Sequence, residues 1–166
     1  MKEVFLVDGY NLIHASHLKE LLDISLEEAR RELENILSGY SRYIKKKIIV
    51  VYDGHMVKDN RGESYEKDGL TIVFTKENET ADSYIEAATY NYQDRYKMTV
   101  VTNDLAESTL AFNEGAIRLG SRAFFALIED SLKLEKKMHE REKIKNEYVK
   151  NTNSLEAELR KWLERD

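Results

Sequence analysis

The chain has no cysteine and no proline, and only seven glycines and one tryptophan in 166 residues. Without thiols it can form neither disulfides nor thiolate metal sites, and a reducing compartment suits it. Long apolar runs are missing as well. The first one, Val4-Phe5-Leu6-Val7, is too short for the core of a signal peptide or for a membrane span, so the expectation is a cytoplasmic protein with no membrane partner. An excess of basic side chains is also absent. The net charge is −5, with a pI near 5.5, which excludes a protein that holds nucleic acid by bulk electrostatics. The deficit is uneven: residues 121–166 carry 11 basic and 10 acidic side chains, and the first 120 residues carry 15 and 21. Neither an internal repeat nor a low-complexity segment is present.

What is there suffices for a buried core, with 42% hydrophobic and 34% charged residues. Val4-Phe5-Leu6-Val7 predicts a buried strand ended by Asp8-Gly9. Ser25-Leu26-Glu27-Glu28 predicts a capped helix start, and Ala29, Leu33, Ile36, Leu37, Tyr40 and Ile44 then hold one face for about five turns before Lys45-Lys46-Lys47. Ile48-Ile49-Val50-Val51-Tyr52 lacks alternation, as a strand buried on both faces does, and runs into Asp53-Gly54-His55. Residues 54–69 are polar and predict a long connection. Lys58, Arg61, Tyr65 and Lys67 give that stretch the means to guide a single RNA strand by phosphate contacts and stacking; a solvated loop is the plainer reading. Leu70 to Thr75 and Met98 to Thr102 predict two further strands, and residues 115–120 a last short one. Thr80 predicts an N-cap, followed by Ala81, Ile85, Ala88 and Tyr92 on one helical face. Asp104-Leu105-Ala106-Glu107 predicts another capped helix start. From residue 121 the chain reads as helix, charge-dense beyond 129, with a break at Asn151-Thr152-Asn153-Ser154. The last helix, bearing Trp162, is expected to pack on the domain, with a partner contact as the alternative. This gives an α/β domain over 1–128 and a C-terminal helical extension over 129–166.

Alternating strands and helices predict a mostly parallel sheet with right-handed crossovers, whose strand carboxyl ends form the ligand crevice. Asp8, Asp53 and Asp104 each follow a predicted strand, and Asp82 opens the helix after another. Each alone reads as a turn or cap residue. Together at one sheet edge they repel one another unless a divalent cation intervenes. Carboxylate oxygens suit Mg²⁺ or Mn²⁺, and such an ion beside a phosphodiester supports its hydrolysis. Asn11, three residues past Asp8, adds a neutral group able to orient water or phosphate.

The ordered set Val7-Asp8-Gly9-Tyr10-Asn11, Tyr52-Asp53-Gly54-His55, Glu79-Thr80-Ala81-Asp82, Thr102-Asn103-Asp104-Leu105-Ala106-Glu107 and Gly115-Ala116 resembles the YacP-like NYN domain of the PIN-like ribonucleases. The resemblance covers residues 3–128. It implies a Rossmann-like, PIN-like sheet and a Mg²⁺- or Mn²⁺-dependent endoribonuclease of bacterial type. Asp8, Asp82 and Asp104 would be its core metal acids. Asn11 and Asp53 would support them, and Glu79 and Glu107 would stand farther out, with Thr80, Thr102 and Asn103 nearby. Asn103 and Ser108 depart from the residues common in relatives, without removing a carboxylate.

Two other acid-bearing α/β readings fail. A receiver domain wants a lysine after its last strand, where Ile117 is followed by Arg118, and an Asp-x-Asp phosphatase is excluded by Gly9-Tyr10. The remaining rival is a non-catalytic RNA- or ribosome-binding module of the same fold. An acidic body fits a nuclease whose RNA is delivered by a partner such as the ribosome.

Overall fold

The computed structural model describes residues 1–55, 58–103 and 115–165. A strand β1 (Lys2–Asp8) leads into a short helix α1 (Gly9–His14), a 3₁₀ segment (His17–Asp23) and the long helix α2 (Leu26–Ile44). Strands β2 (Lys47–Tyr52), β3 (Glu63–Lys67) and β4 (Leu70–Phe74) precede helix α3 (Ala81–Tyr92). Strands β5 (Tyr96–Val101) and β6 (Ile117–Leu119) then precede helix α4 (Ser121–Leu163). The six strands form one sheet in the order β3-β4-β2-β1-β5-β6. All neighbours in it are parallel except β3 and β4.

The strands without alternation lie at the centre, as burial on both faces requires. Phe5 and Val7 of β1 and Ile48, Val50 and Tyr52 of β2 join one core, with Leu33 and Leu37 of α2 and Phe124 of α4. Leu6, Val51 and Val100 face the other way and meet Ala81 and Ile85 of α3. The caps read from the sequence are present. Ser25 Oγ accepts the Glu28 N–H at 3.0 Å, and Thr80 caps α3 in a reciprocal pair with Ser83.

Two expectations are corrected. Residues 54–69 are not a long connection, because β3 folds back on β4 in a hairpin. Its turn is Asp68-Gly69, with φ +50° at Asp68 and +83° at Gly69, the positive-φ pair that matches the twist of a two-residue hairpin. Nor does Asn151-Thr152-Asn153-Ser154 break the terminal helix, which is continuous over Ser121–Leu163. Thr152 Oγ1 donates to the Tyr148 carbonyl at 2.8 Å, so the hydroxyl is satisfied within the helix. No proline or glycine is present there to end it.

The chain divides into two compact units, Met1–Ile128 and Glu129–Asp166. In the second unit Leu155, Leu159, Trp162 and Leu163 are exposed. Among the described residues no helix is long and apolar enough to cross a membrane.

Candidate active site

Because β1, β2, β4 and β5 run parallel, their carboxyl ends share one edge of the sheet. Asp8 ends β1 at the centre. Its backbone is extended, and its Oδ1 accepts the Asn11 N–H at 3.2 Å, which makes it the N-cap of α1. The chain can turn so sharply there because Gly9 packs directly on the Tyr52 ring; a Cβ at Gly9 would lie 2.4 Å from a ring carbon. Asp53 follows β2 and is exposed, with its Oδ1 accepting the His55 N–H at 2.8 Å. Asp82 is partly exposed in the first turn of α3, a position that favours negative charge. Helix α3 packs against β1, β2 and β5. Asp104, Glu107 and the helix expected over residues 105–112 lie outside the described residues. Among the described residues, no three His, Asp or Glu side chains are grouped to hold a metal ion.

Asn11 ties the strand ends together. Its Oδ1 accepts both the Asn103 N–H at 2.9 Å and the Ser121 hydroxyl at 3.0 Å. Asn103 Oδ1 in turn accepts the Ser121 N–H at 2.9 Å. One amide thus joins α1, the segment after β5 and the start of α4, across more than a hundred residues of chain. Thr102 is buried, and its N–H donates to the Leu119 carbonyl at 3.1 Å. Removal of the Asn11 carbonyl would leave two donors without their acceptor. An Asn11→Ala variant is therefore expected to lose about 1–3 kcal/mol of stability, measured as a lower urea midpoint.

A second clamp fixes the other side of the edge. Asn60 Nδ2 donates to the carbonyls of Gly54 (3.2 Å) and Thr75 (2.8 Å). Its Oδ1 accepts the Gly62 N–H at 3.0 Å. Thr75 Oγ1 accepts the Gly54 N–H at 2.9 Å and donates to the Glu79 carbonyl at 2.7 Å. Glu79 Oε2 meets the Lys76 N–H at 3.4 Å. The loop carrying Asp53 and the segment leading to Asp82 are therefore stitched to each other. Nothing in the spacing of residues 54–79 discloses this, because Asn60 acts through tertiary contacts.

The basic candidates are dispersed. Lys58 and Arg61 are exposed on the loop before β3, and Tyr65 is 38% exposed on β3 itself. Lys67 Nζ donates to the buried Glu34 carboxylate at 2.7 Å, and that bond raises the lysine pKa.

Comparison with known proteins fits this architecture. A family model for the YacP-like NYN domain matches residues 5–165. The YacP protein of Bacillus subtilis (strain 168) is 34% identical over 166 residues, covering 98% of this chain and 95% of that protein. This chain belongs to the YacP-like NYN domain family. Solved structures of a family member agree. A crystal structure of Rae1 (YacP) from Bacillus subtilis superposes with a TM-score of 0.67 at 31% identity, covering 98% of this chain and 93% of that one. A tryptophan-to-leucine variant of the same protein gives a TM-score of 0.70 at 33% identity, over 81% and 80% of the two chains. The NYN domain is a PIN-like nuclease fold, and membership carries a nuclease-like, RNA-related function at that coarse level.

Proposed function

We propose that this chain is a Mg²⁺- or Mn²⁺-dependent endoribonuclease that hydrolyses RNA phosphodiester bonds. The observation that carries the reading is the parallel pairing of β1 with β2 and β5, and of β2 with β4. It brings Asp8, Asp53, Asn103 and the start of the helix bearing Asp82 to one sheet edge, and Asp104 follows Asn103 in the sequence. The donor set is carboxylate oxygen, which suits a hard cation that keeps its waters and needs only one or two protein carboxylates beside substrate phosphate. Asp8, Asp82 and Asp104 would hold it, with Asp53 in support. When bound, such an ion polarises a phosphoryl oxygen and activates water. Asn11 keeps Asn103, after β5, locked to the chain after β1, beside the strand end that carries Asp8. Glu79 and Thr80 fix the entry into α3 and thereby the height of Asp82 along the edge.

The acidic body favours one further reading, an RNA- or ribosome-binding module without turnover. Single-stranded RNA incubated with purified protein separates the two. Cleavage in Mg²⁺ or Mn²⁺, lost at least a hundredfold in EDTA, is the expected result. Equal cleavage with and without chelator would contradict the metal mechanism. Binding without cleavage, both of free RNA and of RNA on ribosomes, would support the module.

A further inference from the structure

Helix α2 carries a cation that neither the fold nor the acid edge accounts for. Arg30 lies in its second turn, at the end of α2 that stands over the carboxyl ends of β2 and β4. Its guanidinium carbon is 5.8 Å from the Tyr52 ring centroid and 5.4 Å from that of Phe74. Those are the last residues of β2 and β4. Arg30 Nη1 donates to the Tyr10 hydroxyl at 3.0 Å, and Tyr10 lies two residues past Asp8. Arg30 is therefore at the same sheet edge as Asp8 and Asp53, over two aromatic rings and only partly exposed.

Among the described residues no carboxylate forms an ion pair with it. The carboxylate one turn along α2, Glu34, accepts bonds from the Tyr52 hydroxyl (3.1 Å) and from Lys67 (2.7 Å). Among the described residues Arg30 forms no ion pair and makes one hydrogen bond, from a group with five N–H donors. A guanidinium set over two rings beside a phenol, with no ion pair among the described residues, is suited to an anion with several oxygens, and in a nuclease that anion is a backbone phosphate. The Tyr10 hydroxyl accepts from Arg30, and its own proton can go to the same phosphate.

We infer that Arg30 and Tyr10 bind a phosphate of a single RNA strand next to the scissile one, and so hold the strand along the acid edge. The inference deepens the ribonuclease reading and rests on it. It also explains how an acidic body meets RNA, through one pre-formed cationic contact rather than a basic surface. The β3–β4 hairpin bounds this contact on one side, so the RNA strand runs from Arg30 towards the centre at Asp8.

The test is the affinity of the full chain for a fluorescent single-stranded RNA in EDTA, titrated at several salt concentrations. Arg30→Gln is expected to weaken binding about tenfold. It should also lower the slope of log affinity against log salt by about 0.7, the loss of one phosphate contact on a single strand. Tyr10→Phe should weaken binding a few-fold and leave the slope unchanged, and Arg30→Lys should restore most of the slope. If Arg30 only braces Tyr52 and Phe74, Arg30→Gln will lower the thermal midpoint and leave the salt slope as in wild type. That result overturns the inference, as does the absence of any measurable RNA binding by wild type. Cleavage by wild type alongside an unchanged slope would leave the nuclease reading standing without Arg30. A reduced slope in a protein that never cleaves would keep the phosphate contact and reject the nuclease.

Discussion

An Asp82→Asn variant is expected to fold as the wild type does and to cleave RNA at least a hundredfold more slowly. The substitution keeps size and shape, and it removes one negative charge from the first turn of α3. Loss of the favourable dipole interaction costs about 0.3–1 kcal/mol. The cap survives, because Thr80 Oγ1 and the Ser83 N–H, 3.1 Å apart, make it. Chemistry pays much more. A carboxylate that helps hold an ion at a reacting phosphate contributes several kcal/mol, and each 1.36 kcal/mol is about a factor of ten in rate. Single-turnover cleavage in Mn²⁺, alongside a urea melt of the same preparation, separates the two effects. A variant that melts normally and cleaves at the wild-type rate would remove Asp82 from the mechanism.

Two glycine-to-alanine changes should move stability in opposite directions. At Gly54 an added Cβ would lie 2.2 Å from the Thr75 carbonyl oxygen and 2.3 Å from Asn60 Nδ2. The first is backbone, fixed at the end of β4, and the second belongs to the clamp that joins the Asp53 loop to the approach to Asp82. Neither can retreat without breaking hydrogen bonds, so Gly54→Ala should cost about 2–3 kcal/mol and cleave poorly through misplaced acids. Gly39, in the middle of α2, has nothing within 4 Å of an added Cβ. Gly39→Ala should therefore stabilise by roughly 0.5–1 kcal/mol, the usual gain inside a helix. Urea midpoints of the two variants check the pair, and a Gly54→Ala protein as stable as wild type would contradict the close packing at that edge.

The parallel core was readable because Ile48-Ile49-Val50-Val51-Tyr52 and Val4-Phe5-Leu6-Val7 are apolar at successive positions, a pattern that only burial on both faces explains. Once the strands are parallel, Asp8 and Asp53 must share an edge. Asp68-Gly69 is the hairpin's one mark in the sequence, because β3 is polar and exposed at Glu63, Ser64 and Glu66 and so shows no hydrophobic period. The unbroken terminal helix is obscured for the opposite reason. Asn and Ser disfavour helix interiors, yet each costs only tenths of a kcal/mol and neither stops a helix as proline does. The roles of Asn11, Asn60 and Arg30 were out of reach in a different way. Asn11 bonds across about a hundred residues of sequence and Arg30 across twenty, and no local period or spacing encodes such pairs. The sequence marks Asn11 only as a neutral group for water or phosphate. In the structure its carbonyl oxygen holds Asn103 and Ser121.

Crystals of the protein grown with Mn²⁺ test the shared ion most directly. An anomalous map should show a peak about 2.0–2.3 Å from carboxylate oxygens of Asp8 and of at least one of Asp82 and Asp104. Asp8, Asp82 and Asp104 ordered at that edge with no manganese between them, or with the metal bound elsewhere, would contradict it.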